Sequence, residues 1–311
     1  MEEKEVTVQE ALHRVSHCLA QKGFENPRLN GELLLSWALC CRRIDLYLKG
    51  DRLLSRQEAA TLQEALERRL SHTPIQYIVG STQFLSCDLI VNEDVFIPRP
   101  ETEILVEAVV KRLQVGWSGD TGPVVVDLGT GCGNIAISLA QAFPRARVYA
   151  TDISERALSV ARENGRLNDL AAHISFHLGN LFEPLGDFGL REGADAIVSN
   201  PPYIVTSEIA DLPPEVRDFE PQVALDGGED GLDVLLRVVR EAPVFLRRDG
   251  LLALEVGQGQ ADVVRCMMAG EGRYEGIEVI RDLNGIQRVV MGTKMDGGTF
   301  RHSPLSGGSA L

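Results

Sequence analysis

The chain has 311 residues, 44% of them hydrophobic and 24% charged, and a formal net charge of −14, which allows a substantial buried core in one large domain or two. No apolar run approaches the ~20 residues of a membrane span, and the acidic start Met-Glu-Glu-Lys-Glu lacks the apolar core of a signal peptide. Cys18, Cys40, Cys41, Cys87, Cys132 and Cys266 form no Cys-x-x-Cys pair and have no histidine in ligand spacing, which points to reduced thiols in a cytoplasmic protein and to no metal site. The charge is unevenly placed. Residues 1–80 hold 11 basic and 11 acidic groups, and residues 81–311 hold 20 and 34. So acidic a half is poorly suited to gripping phosphates, and no direct nucleic-acid binding is expected.

In chain order, Val8, Ala11, Leu12, Val15, Cys18 and Leu19 fall at helical spacing and predict an amphipathic helix over 7–21. Pro27 opens a second over about 27–41, and Ser55 with Glu58 forms a capping-box signature for a third, ending near Leu70. Residues 1–73 therefore read as a small helical domain whose role is packing or partner docking. Over 74–98 the helical period is lost; short β-type runs at Ile75–Val79 and Leu89–Val91 predict a hairpin linker. Pro98 and Pro100 stiffen the chain around Arg99 before a further helix, as a linker or as a strap over a ligand site. Residues 99–294 read as one domain.

From Val124 strands alternate with helices. Strands are predicted at 124–127, 147–151, 174–178, 195–199, 251–256, 277–281 and 287–292, and helices at 133–142, 154–168, 230–246 and 259–269. That pattern argues an α/β fold, a mainly parallel sheet covered on both faces. The short Asp282-Leu283-Asn284-Gly285 turn makes the last strand antiparallel. Residues 295–311, rich in Gly and Ser, read as a disordered tail.

The chemistry lies at the carboxyl ends of the strands. The first runs into Asp127-Leu128-Gly129-Thr130-Gly131-Cys132-Gly133, a tight turn that lets a ligand touch backbone. Its spacing is not that of a pyrophosphate cradle, and the leading Asp127 suits a cationic ligand better than an anionic one. The second strand ends at Asp152, placed to accept from both hydroxyls of a ribose, or else to cap the next helix, a role Ser154 fits better. The third is followed by Asn180-Leu181. The fourth stops at Asn200-Pro201-Pro202-Tyr203, where two prolines remove backbone donors and leave an acceptor-rich strand end. In an open α/β sheet, ligands bind beyond the strand ends at the switch point, so Asn200 should face the ligand of the glycine turn. Glu255, at the end of the fifth strand, is expected to cap the following loop.

The glycine turn with its leading acid is similar to that of the S-adenosylmethionine-dependent methyltransferases, and Asn-Pro-Pro-Tyr resembles the motif of those that methylate a planar –NH2 group: adenine, guanine or glutamine. Pro74-Ile75-Gln76-Tyr77-Ile78-Val79-Gly80, Phe96-Ile97-Pro98-Arg99-Pro100-Glu101-Thr102-Glu103, Val216-Arg217-Asp218-Phe219-Glu220-Pro221, Ala224-Leu225 and Gly227-Gly228 together resemble the release factor glutamine methyltransferases, the PrmC/HemK family, over residues 6–293. The resemblance implies a seven-stranded Rossmann-like class I methyltransferase domain behind an N-terminal helical bundle and β-hairpin linker. It implies methyl transfer from S-adenosyl-L-methionine, leaving S-adenosyl-L-homocysteine, to N5 of the glutamine in the Gly-Gly-Gln motif of class 1 peptide chain release factors. The helical domain would help to dock that partner.

By the same resemblance, cofactor contacts fall on Gly129, Thr130, Gly131, Cys132, Gly133, Asp152, Asn180, Leu181 and Asn200. Substrate contacts fall on Asn200, Pro201, Pro202 and Tyr203, with Asn200 catalytic. In relatives the position of Asn180 is commonly acidic and that of Cys132 often threonine; Cys132 is given no redox role. A DNA adenine methyltransferase would need a basic recognition domain, and a protein that had lost catalysis would show a damaged glycine turn or Asn200. The runner-up is a methyltransferase for a ribosomal protein glutamine or for an exocyclic amino group of rRNA.

Overall fold

A computed structural model describes residues 6–116 and 121–295; the expected tail falls almost wholly outside them. Helices α1 (Val8–Gln21), α2 (Pro27–Ala38), α3 (Arg43–Leu48) and α4 (Arg56–Leu70) come first. Capping boxes at Thr7/Glu10 and Ser55/Glu58 satisfy the open N–H groups of α1 and α4. Their apolar stripes meet in a core of Val8, Leu12, Val15, Leu19, Leu34, Leu35 and Leu66.

The expected β-run at Ile75–Val79 is instead a short helix, α5. Its β-branched residues favour a strand only weakly, and packing overrides that preference. Gly80, at φ 81°, closes the turn by donating to the Gln76 carbonyl at 2.7 Å. Ile78 joins the helical core, while Tyr77 joins the core of the following domain. A hairpin of β1 (Ser81–Phe84) and β2 (Cys87–Ile90) follows. Then comes α6 (Pro100–Gly116).

The remainder alternates: β3 (Val124–Leu128), α7 (Asn134–Ala142), β4 (Arg147–Asp152), α8 (Glu155–Leu167), β5 (Ile174–Leu178), β6 (Ala194–Ser199), the single turn α9 (Pro214–Arg217), α10 (Asp233–Phe245), β7 (Leu246–Glu255), α11 (Ala261–Glu271), β8 (Tyr274–Arg281) and β9 (Gln287–Lys294). The seven strands lie in the order β5-β4-β3-β6-β7-β9-β8. All neighbours are parallel except β9, which runs antiparallel to β7 and β8, as the short turn before it requires. β7 begins at Leu246, five residues earlier than the pattern suggested: the polar run Arg247-Arg248-Asp249 hid a segment that pairs through Ala194↔Leu246 before a register shift.

Successive residues of β3 enter opposite cores. Val125 packs with Leu105 and Val109 of α6, Leu139 of α7 and Val160 of α8. Val126 and Leu128 pack with Val238 and Val239 of α10 and Val264 of α11. The sheet is therefore covered on both faces, and the polar chemistry is left to its carboxyl edge. Asn164 of α8, fully buried, accepts from the Ile90 N–H at 2.6 Å and donates to the Ile90 and Cys132 carbonyls at 2.9 Å each, fixing the hairpin and the glycine turn to one helix. Among the described residues no helix is long and apolar enough to cross a membrane.

Candidate active site

At that edge, where β3 and β6 lie side by side, a cleft of about 550 Å³ opens. It is lined by the glycine turn (Gly129, Thr130, Gly131, Cys132), by Asp152, Asn180 and Leu181, and by Asn200, Pro201, Pro202 and Tyr203. Pro98 and Thr102 line it from the α6 side, and Gln222–Asp226 from the segment before α10. Of the residues expected to line it, Gly133 is the exception. It opens α7 at φ 87°, a left-handed conformation that favours glycine, and a Cβ there would also press on Ile137 Cδ1 at 3.1 Å and Ala161 Cβ at 3.3 Å.

The turn spends most of its donors on the chain itself. The Gly129 and Thr130 N–H groups both donate to the Thr151 carbonyl at 2.9 Å, and that of Gly133 to the Thr130 carbonyl at 2.8 Å. The Gly131 N–H donates to Asp152 Oδ2 at 2.8 Å, while Asp152 Oδ1 accepts from the Ser154 N–H at 2.9 Å. A loop that spends its amides internally is not an anion cradle. Ser154 caps α8 through the Ala157 N–H, which leaves the second lone pairs of Asp152 for a ligand. Burial pushes the Asp152 carboxyl upward, opposed by those backbone donors.

Asp127 stands behind the turn rather than in the cleft. Fully buried, it accepts at Oδ2 from the Thr130 hydroxyl at 2.6 Å and the Ala136 N–H at 3.1 Å, so it braces the turn against α7. Burial pushes its carboxyl up to about 7. Cys132 is buried and its thiol pushed up to about 12, which leaves it unreactive. Asn180 already accepts at Oδ1 from Arg237 of α10 at 3.2 Å, so one of its two lone pairs is taken.

The Asn-Pro-Pro-Tyr segment is fixed from a distance. The Ser199 hydroxyl donates to the Leu128 carbonyl at 2.7 Å and ties the end of β6 to that of β3. Asn200 Nδ2 donates to Thr102 Oγ1 at 3.1 Å, and the Thr102 hydroxyl donates to Glu255 Oε2 at 2.6 Å. The Tyr203 hydroxyl donates to Glu255 Oε1 at 3.2 Å, and its ring is largely buried. Glu255 is thus no loop cap: its carboxylate is buried beneath Asn-Pro-Pro-Tyr, where desolvation pushes it up to about 7. Gly227 allows the return segment to press on Tyr203; a Cβ there would lie 2.8 Å from the Tyr203 Cα.

Arg99 sits over the Phe96 ring at 4.5 Å and pairs with the buried Glu220, which also accepts from the Ile97 N–H at 3.3 Å. The Pro98 segment and the 220–226 segment are thereby held together across the cleft. Glu215, just upstream, pairs with Arg69 of α4 at 2.8 Å, joining this segment to the helical bundle. Arg237 and Asn164 carried no sequence signal, and Thr102 stood out only as part of the Phe96–Glu103 stretch with no role attached; all three are far in the chain from the groups they hold.

Residues 10–80 match the family model described as "PrmC N-terminal domain" and residues 100–212 that described as "Methyltransferase small domain". The release factor glutamine methyltransferase of Moorella thermoacetica is 42% identical over 283 residues, 91% of this chain and 97% of that one. That of Geobacter sulfurreducens is 40% identical over 286 residues, covering 92% and 96%. Among solved structures, the hMettl16 catalytic domain in complex with the MAT2A 3′UTR hairpin 6 is similar with a TM-score of 0.53 and 14% identity, over 80% of this chain and 87% of that one. At that identity the likeness is one of fold.

Proposed function

The chain belongs to the release factor glutamine methyltransferases, and from that premise we propose that it transfers a methyl group from S-adenosyl-L-methionine to N5 of the glutamine in the Gly-Gly-Gln motif of class 1 peptide chain release factors. The observation that carries this reading is the anchored amide of Asn200. With Nδ2 given to Thr102 and both residues lining the cleft, Asn200 Oδ1 and the Pro201 carbonyl would form a pair of acceptors matched to the two N–H groups of a primary amide.

The cleft suits the cofactor on three counts. Its volume lies in the range of small-molecule sites. Its glycine turn has spent most of its donors on the chain itself, which favours a cationic ligand over a phosphate. Gly129 and Gly131, with open space where a Cβ would stand, let a ligand approach the backbone, and Asp152 keeps lone pairs for a ribose. When bound, S-adenosyl-L-methionine supplies a methyl group on a positively charged sulfur and is left as S-adenosyl-L-homocysteine. Cofactor contacts are proposed for Gly129–Cys132, Asp152, Asn180, Leu181 and Asn200.

An amide nitrogen is a poor nucleophile because its lone pair is delocalised. Asn200 Oδ1 and the Pro201 carbonyl would each accept one of its N–H protons, orienting the nitrogen in line with the methyl and raising its electron density. Tyr203, held by Glu255, would pack on the planar amide. No strong base is required, since the methylated nitrogen sheds its proton readily. The helical bundle, joined to the cleft by Arg69–Glu215, is proposed to help dock the release factor.

Purified protein with methyl-labelled S-adenosylmethionine should label a class 1 release factor and leave its Gly-Gly-Gln Gln→Ala variant unlabelled. Equal labelling of the two would overturn the substrate assignment.

A further inference from the structure

We propose that Glu255 and Thr102 form a positioning relay that sets which end of the Asn200 amide faces the substrate. The inference rests on the reading above, in which Asn200 must present an acceptor. Three polar groups from separate parts of the chain meet under Asn-Pro-Pro-Tyr: Thr102 in the first turn of α6, Glu255 at the end of β7, and the Tyr203 hydroxyl. Thr102 and Glu255 are each 1% exposed, so solvent does not substitute for these partners.

The polarity follows from proton counting. An ionised carboxylate only accepts. Glu255 therefore takes the hydroxyl protons of Thr102 and Tyr203, one on each oxygen. Thr102, its single proton spent, can only accept from Asn200. That requires Nδ2 to face Thr102, as it does at 3.1 Å, and turns Oδ1, the other end of a planar amide, toward the cleft. An unanchored asparagine could rotate by half a turn and point its NH2 at the substrate NH2, donor against donor. A valine at 102 would fill the same space and impose no such choice.

Protonation of Glu255 releases the relay. A carboxylic acid must donate one proton, and if Thr102 receives it, the Thr102 hydroxyl can turn to Asn200 Oδ1 and reverse the amide. The charged groups facing Glu255 oppose each other: Glu101 of α6 raises its pKa, and Arg288 of β9 together with the two hydroxyls lowers it. With the carboxyl near 7, turnover should rise as pH increases through about 7.

The test combines a substrate-free readout with kinetics. The side-chain NH2 of Asn200 is followed by 15N NMR at pH 8, identified by its loss in N200A. Its hydrogen exchange should be slowed in wild type and T102S and fast in T102V. In single-turnover methylation of the release factor, T102V should lose ~100-fold in rate, the scale of a small misplacement of a reacting group. KM for the factor and Kd for S-adenosylmethionine should stay within about 3-fold, and T102S should recover most of the rate. E255Q, which can accept from only one hydroxyl, should lose ~10-fold and show no rise through pH 7. Slow exchange of the Asn200 amide in T102V, or a T102V rate within about 3-fold of wild type, would overturn the relay. Wild-type protein that leaves the factor unlabelled would remove the substrate reading alone; the amide measurement needs no substrate and decides the relay either way.

Discussion

The two ends of the cleft are built by opposite means. At the glycine turn most side-chain braces are near in sequence: Asp127 holds Thr130 and Ala136, and Asp152 holds Gly131 and Ser154, none of these spans above 21 residues, and Asn164 reaches the Cys132 carbonyl across 32. At Asn-Pro-Pro-Tyr the braces come from afar: Thr102 lies 98 residues from Asn200, Glu255 lies 52 from Tyr203, and Arg99 lies 121 from Glu220. A turn that holds itself can bind one ligand whatever partner the rest of the chain serves. An end assembled from three separate segments can be shaped to a protein substrate. The comparison therefore predicts that damage at one end spares the other.

The sharpest break should come from Asn200→Ala. Loss of one of the two proposed acceptors for the target amide should cost ~1000-fold in methyl transfer, the upper range for removing a single group that stabilises the transition state. Calorimetry should still find S-adenosylmethionine bound within a few-fold of wild type. Near-normal turnover would deny Asn200 its role. Asp152→Ala should do the converse. It removes both the proposed ribose acceptor and the brace on Gly131, and is expected to weaken cofactor binding ~100-fold, about 2.7 kcal/mol. With cofactor saturating, KM for the release factor should hold. A matching rise in that KM would mean that the ends are not separate.

The same contrast explains what could be read from the sequence. The strand–helix alternation, the antiparallel last strand and the glycine turn are written in neighbouring residues, so periodicity and spacing suffice. Asn-Pro-Pro-Tyr was legible as a stiff, acceptor-rich strand end because proline acts on its own neighbours. What holds it was not. Glu255 looked like a loop cap because nothing in its flanking residues shows a threonine 153 positions upstream. Ile75–Val79 looked like a strand because five residues cannot report that two cores compete for their side chains. Asp127 was placed at a ligand because its distance from the first glycine is visible, whereas its burial behind the turn is not.

The Arg99–Glu220 pair tests how far the distal end depends on its straps. The Glu220 side chain is 2% exposed and that of Arg99 29%. Arg99→Met should strand a buried carboxylate and destabilise the protein by about 2 kcal/mol in urea unfolding, less than a fully buried pair would lose. Adding Glu220→Gln should return part of that loss, since a neutral amide costs less to bury. S-adenosylmethionine affinity should change little. A double variant weaker than R99M would show that the pair contributes shape rather than charge compensation.

The smallest effect asks whether the two ends are energetically independent, and pH gives access to it. Each end buries one carboxyl that desolvation pushes up to about 7, Asp127 from an ordinary 3.8 and Glu255 from 4.5. A carboxyl raised in the folded state holds its proton more tightly there than in the unfolded chain. Its favourable share of stability is complete below about pH 4 and is lost as pH rises through about 7. Asp127→Asn and Glu255→Gln cannot ionise, so each should gain stability relative to wild type as pH rises from 4 to 8, by at least ~1 kcal/mol. The two carboxyls share no hydrogen-bond partner: Asp127 faces Thr130 and Ala136, Glu255 faces Thr102 and Tyr203. In the double variant the two swings should add to within ~0.5 kcal/mol, as for independent sites. A coupling well above that would mean that the glycine turn and the Asn-Pro-Pro-Tyr strand end titrate as one unit through the β3–β6 pairing, and the division between a local end and an assembled end would fall.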